Sequence, residues 1–307
     1  MKNMLFLCVL SMLVSACGGS REDGASGEPV LLTTVGMLTD ITRSVAGDAV
    51  RVEGLMGEGT DPHSFQPSAS DVRKIQSASA ILYVGHHLEE RLTETFETLA
   101  GRGRPVLAVA ERIDRERLLL DEEGNVDPHI WMDVILWRET AGEVAAFLTE
   151  WLPEHAETFQ ANLGVLEAEL EALDAEIQQM TAALPAERRV LVTAHDAFGY
   201  FGARYGFEVE GIQGFSTDSE AGLRRMNHLV EMLVERGITA VFVESSVADR
   251  HVRALIEGAA RRGHAVEVGG ELFSDAMGAR GTPEGTYAGM IRHNVSTIVG
   301  ALEGPRP

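Results

Sequence analysis

The chain has 307 residues, 45% of them hydrophobic and 24% charged, with a formal charge of −21 at pH 7. That length accommodates two domains of ordinary size, and that balance is typical of a soluble globular chain. The net acidity argues against nucleic acid or an anionic membrane surface as a partner.

Residues 1–17 read as a targeting segment. Lys2 supplies a positive start, Met4–Val14 a short apolar core, and Val14-Ser15-Ala16 small residues before Cys17. The apolar run is too short to span a membrane. The arrangement is similar to the lipobox of bacterial lipoproteins, which implies that Cys17 is lipidated and becomes the mature N-terminus. A plain signal peptide cut nearby is the alternative. Cys8 would be lost with the segment, which leaves Cys17 alone and allows no internal disulfide. Residues 18–28 are polar and rich in Gly and Ser, the composition of a flexible tether.

From Pro29 the pattern turns to alternating strands and helices. Strands are predicted over Val30–Val35, Val50–Leu55, Ala80–Val84 and Val106–Ala108. Helices are predicted over Thr39–Ala46, over Ser70–Ser77 with Ser68 or Ser70 as cap, and over Leu88–Leu99. This alternation implies a parallel sheet covered on both faces, forming one lobe over residues 29–153.

Residues 154–184 differ. Glycine occurs there only at Gly164, and apolar residues fall at Phe159, Leu163, Leu166, Leu170, Leu173, Ile177 and Met180. Steps of three and four mark one helical face. A helix of this length runs roughly 40 Å, too long for a crossover in a small domain. It reads as a rigid spine between two lobes; a coiled coil is the competing reading.

After Pro185 the α/β pattern resumes and defines a second lobe over 185–307. Strands are predicted over Val190–Thr193, Phe207–Ile212, Val241–Val243 and Ala265–Val268. Helices are predicted over Phe198–Tyr205, Ser219–Arg236 (stopped by Gly237), Asp249–Ala260 and Thr286–Val299. Each lobe is expected to carry its own core.

The sequence holds ten histidines. His155, His228, His251, His264 and His293 sit among charged neighbours and read as surface residues. His86-His87 follows a strand, but adjacent side chains diverge on most backbones. His63, His129 and His195 stand apart because each follows a strand-like or turn-like segment and opens a loop. His63 and His129 both close an Asp-Pro-His tripeptide, in which proline stiffens the turn that aims the imidazole. Loops at the carboxyl ends of strands line the ligand crevice of α/β sheets. Two such loops precede the spine, at His63 and His129. Two follow it, at His195 and at a carboxylate candidate, Asp275. Three neutral imidazoles and one carboxylate suit a divalent transition metal held in an interlobe cleft. No short metal motif such as His-Glu-x-x-His is present.

Five stretches together resemble a known family: Asp61-Pro62-His63-Ser64-Phe65-Gln66-Pro67-Ser68, Asp127-Pro128-His129-Ile130-Trp131-Met132-Asp133, His195-Asp196-Ala197-Phe198-Gly199-Tyr200-Phe201, Val243-Glu244-Ser245-Ser246 and Phe273-Ser274-Asp275. The family is the metal-binding lipoproteins of bacterial ABC importers for zinc and manganese. The resemblance spans about residues 30–300. It implies two α/β lobes joined by a rigid helix and a metal gripped between them by His63, His129, His195 and Asp275. It implies a supporting role for Glu244 behind the ligands. It also implies an extracytoplasmic monomer, anchored to a bacterial membrane through Cys17, that hands its metal to a permease driven by an ATPase.

On the choice of metal the resemblance gives opposing signs. Manganese-directed members often carry glutamate where this chain has His195, so a third imidazole favours zinc. Zinc-specific members often carry a His-rich loop before the second Asp-Pro-His and a C-terminal disulfide. Here the loop is Asp121-Glu122-Glu123-Gly124-Asn125-Val126, and no disulfide can form. Zinc is favoured and manganese is second. The chemistry expected is binding rather than turnover. The alternatives are a zinc hydrolase with an open metal position and a surface adhesin stiffened by metal.

Overall fold

The structure, a computed structural model, describes residues 29–121 and 123–304. The leader over 1–17 with Cys17 and the tether over 18–28 lie outside the described residues.

The chain before the spine builds a parallel sheet from β1 (Val30–Thr33), β2 (Arg51–Gly54), β3 (Ala80–Tyr83) and β4 (Val106–Ala108), in the order β2-β1-β3-β4. Strand β3 is Ala-Ile-Leu-Tyr and buried throughout, the continuous apolar run of a strand covered on both faces. Helices α1 (Gly36–Ala46), α2 (Ala69–Ser77) and α3 (Glu90–Gly101) connect these strands. Ser68 caps α2: its hydroxyl accepts from the Asp71 backbone N–H, and the Asp71 carboxylate accepts from the Ser68 backbone N–H.

Helix α4 (Val134–Trp151) follows and was not expected from the sequence. Its buried residues include Val134, Trp137, Ala141, Val144, Ala145 and Leu148. Buried over so much of its surface, it carries a weak amphipathic signal. The spine α5 (Ala156–Ala182) packs along α4 and also against α1. At 27 residues it extends about 40 Å. Its buried face carries Phe159, Leu163, Leu166, Leu170, Leu173 and Ile177.

Beyond the spine come β5 (Val190–His195), α6 (Gly199–Tyr205), β6 (Glu208–Gln213), α7 (Leu223–Arg236), β7 (Ala240–Glu244), α8 (Arg250–Arg261), β8 (Glu267–Leu272) and α9 (Tyr287–Glu303). β5 pairs with β6 and β7 with β8, both in parallel, and β5 runs close beside β7. Gly237, at φ +65°, ends α7 in the left-handed region. Helix α7 starts at Leu223, not at Ser219; residues 214–222 form an irregular strap.

The main core is shared between the lobes rather than divided between them. One hydrophobic cluster includes Leu31 and Phe96 from before the spine, Phe159 and Ile177 on it, and Phe201, Phe242 and Ile298 after it. A smaller cluster, with Val192, Leu229, Val241 and Leu255, belongs to the second half alone. Helix α9 lies against both α5 and α1, so it covers the spine and reaches the first half. Directed bonds tie this seam. Trp131 Nε1 donates to Ser274 O at 2.9 Å, the Tyr287 hydroxyl donates to Trp131 O at 2.7 Å, and the Tyr287 N–H donates to Asp40 Oδ2 at 2.9 Å. Trp131, Trp137 and Tyr287 are fully buried around it. Losing a buried aromatic such as Trp131 costs about 3–5 kcal/mol, because transfer and cavity terms add.

Candidate metal centre

Four chain segments converge at the interlobe cleft. His63 lies in the loop after β2, and His129 lies just before the turn that opens α4. His195 is the last residue of β5, and Asp275 follows β8. One donor atom from each lies within 4.8 Å of the others, and all four residues are buried. Among the described residues this is the one such group of histidines, cysteines and carboxylates.

His129 Nε2 is 3.3 Å from His63 Nε2, 3.3 Å from His195 Nε2 and 3.3 Å from Asp275 Oδ1. Asp275 Oδ2 is 3.3 Å from His195 Nε2. A tetrahedral site with ligands at about 2.0–2.1 Å has donor–donor edges of roughly 3.3–3.4 Å. The three separations from His129 Nε2 match those edges; Asp275 meets His129 and His195 through different oxygens, and all four groups bring a donor within 4.8 Å of one another.

The outer nitrogens explain the aim of two rings. His129 Nδ1 meets Asp127 Oδ1 at 2.6 Å, and His195 Nδ1 meets Glu244 Oε2 at 2.5 Å. A carboxylate accepts but does not donate, so each Nδ1 carries the proton and each Nε2 turns inward. The same carboxylates fix the backbone. Asp127 Oδ1 accepts the His129 N–H at 2.9 Å, and Glu244 Oε1 accepts the His195 N–H at 2.9 Å. Asp127 is held in turn by Tyr200, whose hydroxyl donates to Asp127 O at 2.9 Å. Beneath His195, Gly211 of β6 admits the close passage of the chain: a Cβ there would lie 2.5 Å from the Asp196 nitrogen.

The titrations follow from these contacts. Burial alone would lower the His129 pKa, but Asp127 and Asp275 outweigh it and raise it to about 9. Burial likewise opposes protonation of His195, yet Glu244 and Asp275 hold its pKa well above the usual value. Asp275 itself, although buried, is kept ionised by His195 and His129, its pKa well below the usual carboxylate range. His63 goes the other way. Burial, aided by the two neighbouring imidazoles and opposed by Asp275, lowers it to about 4. The pocket thus favours positive charge at its centre, which protons supply in the absence of a cation.

The structure brings together His63, His129, His195 and Asp275, and it sets Glu244 directly behind His195. His86 and His87 stay outside the group. Both have left-handed backbones, at φ 47° and 65°, and they line a cavity of about 460 Å³ that also touches His63. His264 and His293 are partly buried, and each rests a ring nitrogen on a backbone carbonyl, of Ile238 and Glu271 respectively. Sequence reasoning overlooked Asp127. Its position two residues before His129 was the available signal, because an aspartate readily accepts the N–H two residues on.

A two-lobed α/β frame with a buried polar site between its halves is the architecture of a substrate-binding protein. The chain matches the family model described as "Zinc-uptake complex component A periplasmic" over residues 31–301, and it belongs to that family. It is 46% identical over 284 residues to the zinc-binding protein TroA of Treponema pallidum (strain Nichols), covering 92% of each chain. It is 41% identical over 307 residues to the manganese-binding lipoprotein MntA of Bacillus subtilis (strain 168), covering 99% of this chain and 100% of that one. The solved structure of the periplasmic zinc binding protein TroA from Treponema pallidum superposes with a TM-score of 0.87 at 47% identity, covering 90% of this chain and 99% of that one.

Proposed function

We propose that this protein captures a divalent transition metal outside the cytoplasm and delivers it to the permease of an ABC importer, which an ATPase drives. His63, His129, His195 and Asp275 are the ligands. The observation that carries this reading is that four buried groups, three histidines and one aspartate, bring donor atoms within 4.8 Å of one another, with His129 Nε2 3.3 Å from each of the other three. Asp127 and Glu244 support it by fixing tautomer and orientation of two rings. Zinc is the preferred cargo because three imidazoles and one carboxylate form a nitrogen-rich, four-coordinate set. Manganese is second: it favours more oxygen donors, and relatives named for each metal are similar to this chain along most of its length.

The hydrolase alternative requires Asp275 to be a general base or uninvolved. Its two oxygens instead lie against His129 and His195, and the family is one of binding proteins. The adhesin alternative has no support in the site. Attachment through a lipid on Cys17 and a monomeric state complete the proposal. Among the described residues no helix is long and apolar enough to cross a membrane.

Elemental analysis of protein purified without added metal, followed by competition between zinc and manganese, tests the reading. One zinc per chain, displaced poorly by manganese, is expected. A metal-free protein that takes up neither ion refutes it.

A further inference from the structure

The two Asp-Pro-His turns share one backbone device and diverge in what the aspartate does next. In each, Oδ1 accepts the histidine N–H at 2.9 Å. Asp127 Oδ1 also holds the His129 ring. Asp61 instead uses Oδ2, which accepts the Ser64 hydroxyl at 2.8 Å and, from the opposite half of the molecule, the Thr217 hydroxyl at 2.6 Å. Thr217 sits in the strap over residues 214–222 between β6 and α7. Gln213, buried at the end of β6, grips that strap from beneath, donating to Thr217 O at 3.1 Å and to Ser219 O at 2.7 Å. Asp218 accepts from the Arg91 guanidinium of α3 at 3.2 Å. The strap therefore crosses the cleft and is fastened on both sides.

Beside it lies the cavity of about 460 Å³, whose wall includes His63, Pro128, Gly214, Phe215 and Ser216. His63 is the one ligand candidate on that wall, and it is 3% exposed while His129 and His195 are fully buried. It is also the one whose ring, among the described residues, has no carboxylate bonded to Nδ1. The path from the centre to solvent runs past the least restrained imidazole, and the turn that carries this imidazole is pinned to the strap.

We propose that the Thr217–Asp61 contact is a latch that positions His63 and sets the rate at which the bound cation exchanges with solvent. This rests on the reading of His63 as a ligand. Unlatching parts the Asp61–Ser64 turn from the strap, so the turn can carry His63 out first while His129, His195 and Asp275 stay in place. Thr217 and Asp61 are positioning residues and touch no metal.

The test is stopped-flow transfer of zinc from the loaded full chain to excess chelator, together with zinc uptake and equilibrium affinity. Thr217→Val removes the hydroxyl at nearly constant volume. Release and uptake are both expected to quicken by about three- to tenfold, the span for loss of one hydrogen bond, with affinity changing less than either rate. Thr217→Ser should restore the parent rates. Arg91→Ala, a surface change that spares folding, should quicken release in the same direction. Parent-like release in both Thr217→Val and Arg91→Ala overturns the latch. So does a loss of affinity that matches the gain in release with uptake unchanged, which is the mark of a plain stabilising contact. Failure of the underlying reading looks different: zinc binding would then survive His63→Ala with its affinity intact.

Discussion

His129 and His195 face each other with their Nε2 atoms 3.3 Å apart, and each has its Nδ1 on a buried carboxylate of its own half of the molecule. With both Nδ1 protons committed outward, two lone pairs point into one small space. That arrangement is repulsive unless a cation or added protons occupy the centre, and Asp275 adds a negative charge to it. The pocket is thus built for a positive guest before any guest arrives.

The carboxylates behind the rings should matter to affinity although they touch no metal. Asp127→Ala frees the His129 ring and also removes the acceptor of the His129 N–H. Zinc affinity is expected to fall about 10- to 100-fold, the usual effect of losing such a partner. Calorimetric titration checks this, and an unchanged dissociation constant contradicts it.

Binding should be linked to protons. His129 is raised to about 9 and His195 well above the ordinary imidazole value, so the metal-free site holds protons at neutral pH. A raised pKa strengthens the proton as a competitor, and lowering the pH strengthens it further. Apparent affinity should therefore fall with acidification across about pH 8 to 5, by up to roughly tenfold per pH unit for each proton displaced. His63, lowered to about 4, stays neutral through that range and contributes no proton. Titrations in two buffers of different ionisation enthalpy measure the protons released; a pH-independent affinity with no proton release contradicts the account.

Asp174 on α5 joins three elements. It accepts from Arg204 Nε at 2.6 Å and from the Tyr205 hydroxyl at 2.9 Å, and Arg204 also lies 3.3 Å from Asp133 at the start of α4. Burial opposes ionisation of Asp174, but Arg204 and Tyr205 prevail and its pKa is lowered. A depressed carboxylate contributes stability above its unfolded pKa of about 3.9, and that stability is lost as pH falls through the folded value. Asp174→Ala should reduce stability by about 1–3 kcal/mol near neutrality, less than a fully buried pair because the Arg204 side chain keeps 24% exposure. Denaturant melts at pH 7 and pH 3 check this. The deficit should shrink at the lower pH, and an equal deficit at both contradicts the assignment.

The seam between the halves limits motion. Trp131 reaches Ser274, Tyr287 reaches Trp131 and Asp40, and α9 lies on α5 and α1. Zinc loading should change the radius of gyration by less than about 1 Å out of roughly 19 Å. Solution scattering with and without metal measures it, and a larger compaction contradicts the stiff-spine account.

Much of this was legible in the residues. The alternating strand pattern, the apolar steps from Phe159 to Ile177 and the paired Asp-Pro-His turns point to the frame and to two of the four side chains that the structure groups together. His195 and Asp275 were harder, because each is marked only by closing a strand or following one. Helix α4 escaped because a helix buried over most of its surface has little periodic contrast. The shared core escaped for a related reason: periodicity shows that a face is apolar but not which neighbour covers it. The latch depends on a contact between Asp61 and Thr217, 156 positions apart, which no local pattern encodes.

The most direct measurement is a crystal structure of the zinc-loaded protein with anomalous scattering recorded at the zinc edge. The account predicts one peak within about 2.0–2.2 Å of His63 Nε2, His129 Nε2, His195 Nε2 and an Asp275 oxygen. A peak elsewhere, or an ion bound by the three histidines with water in place of Asp275, would contradict it.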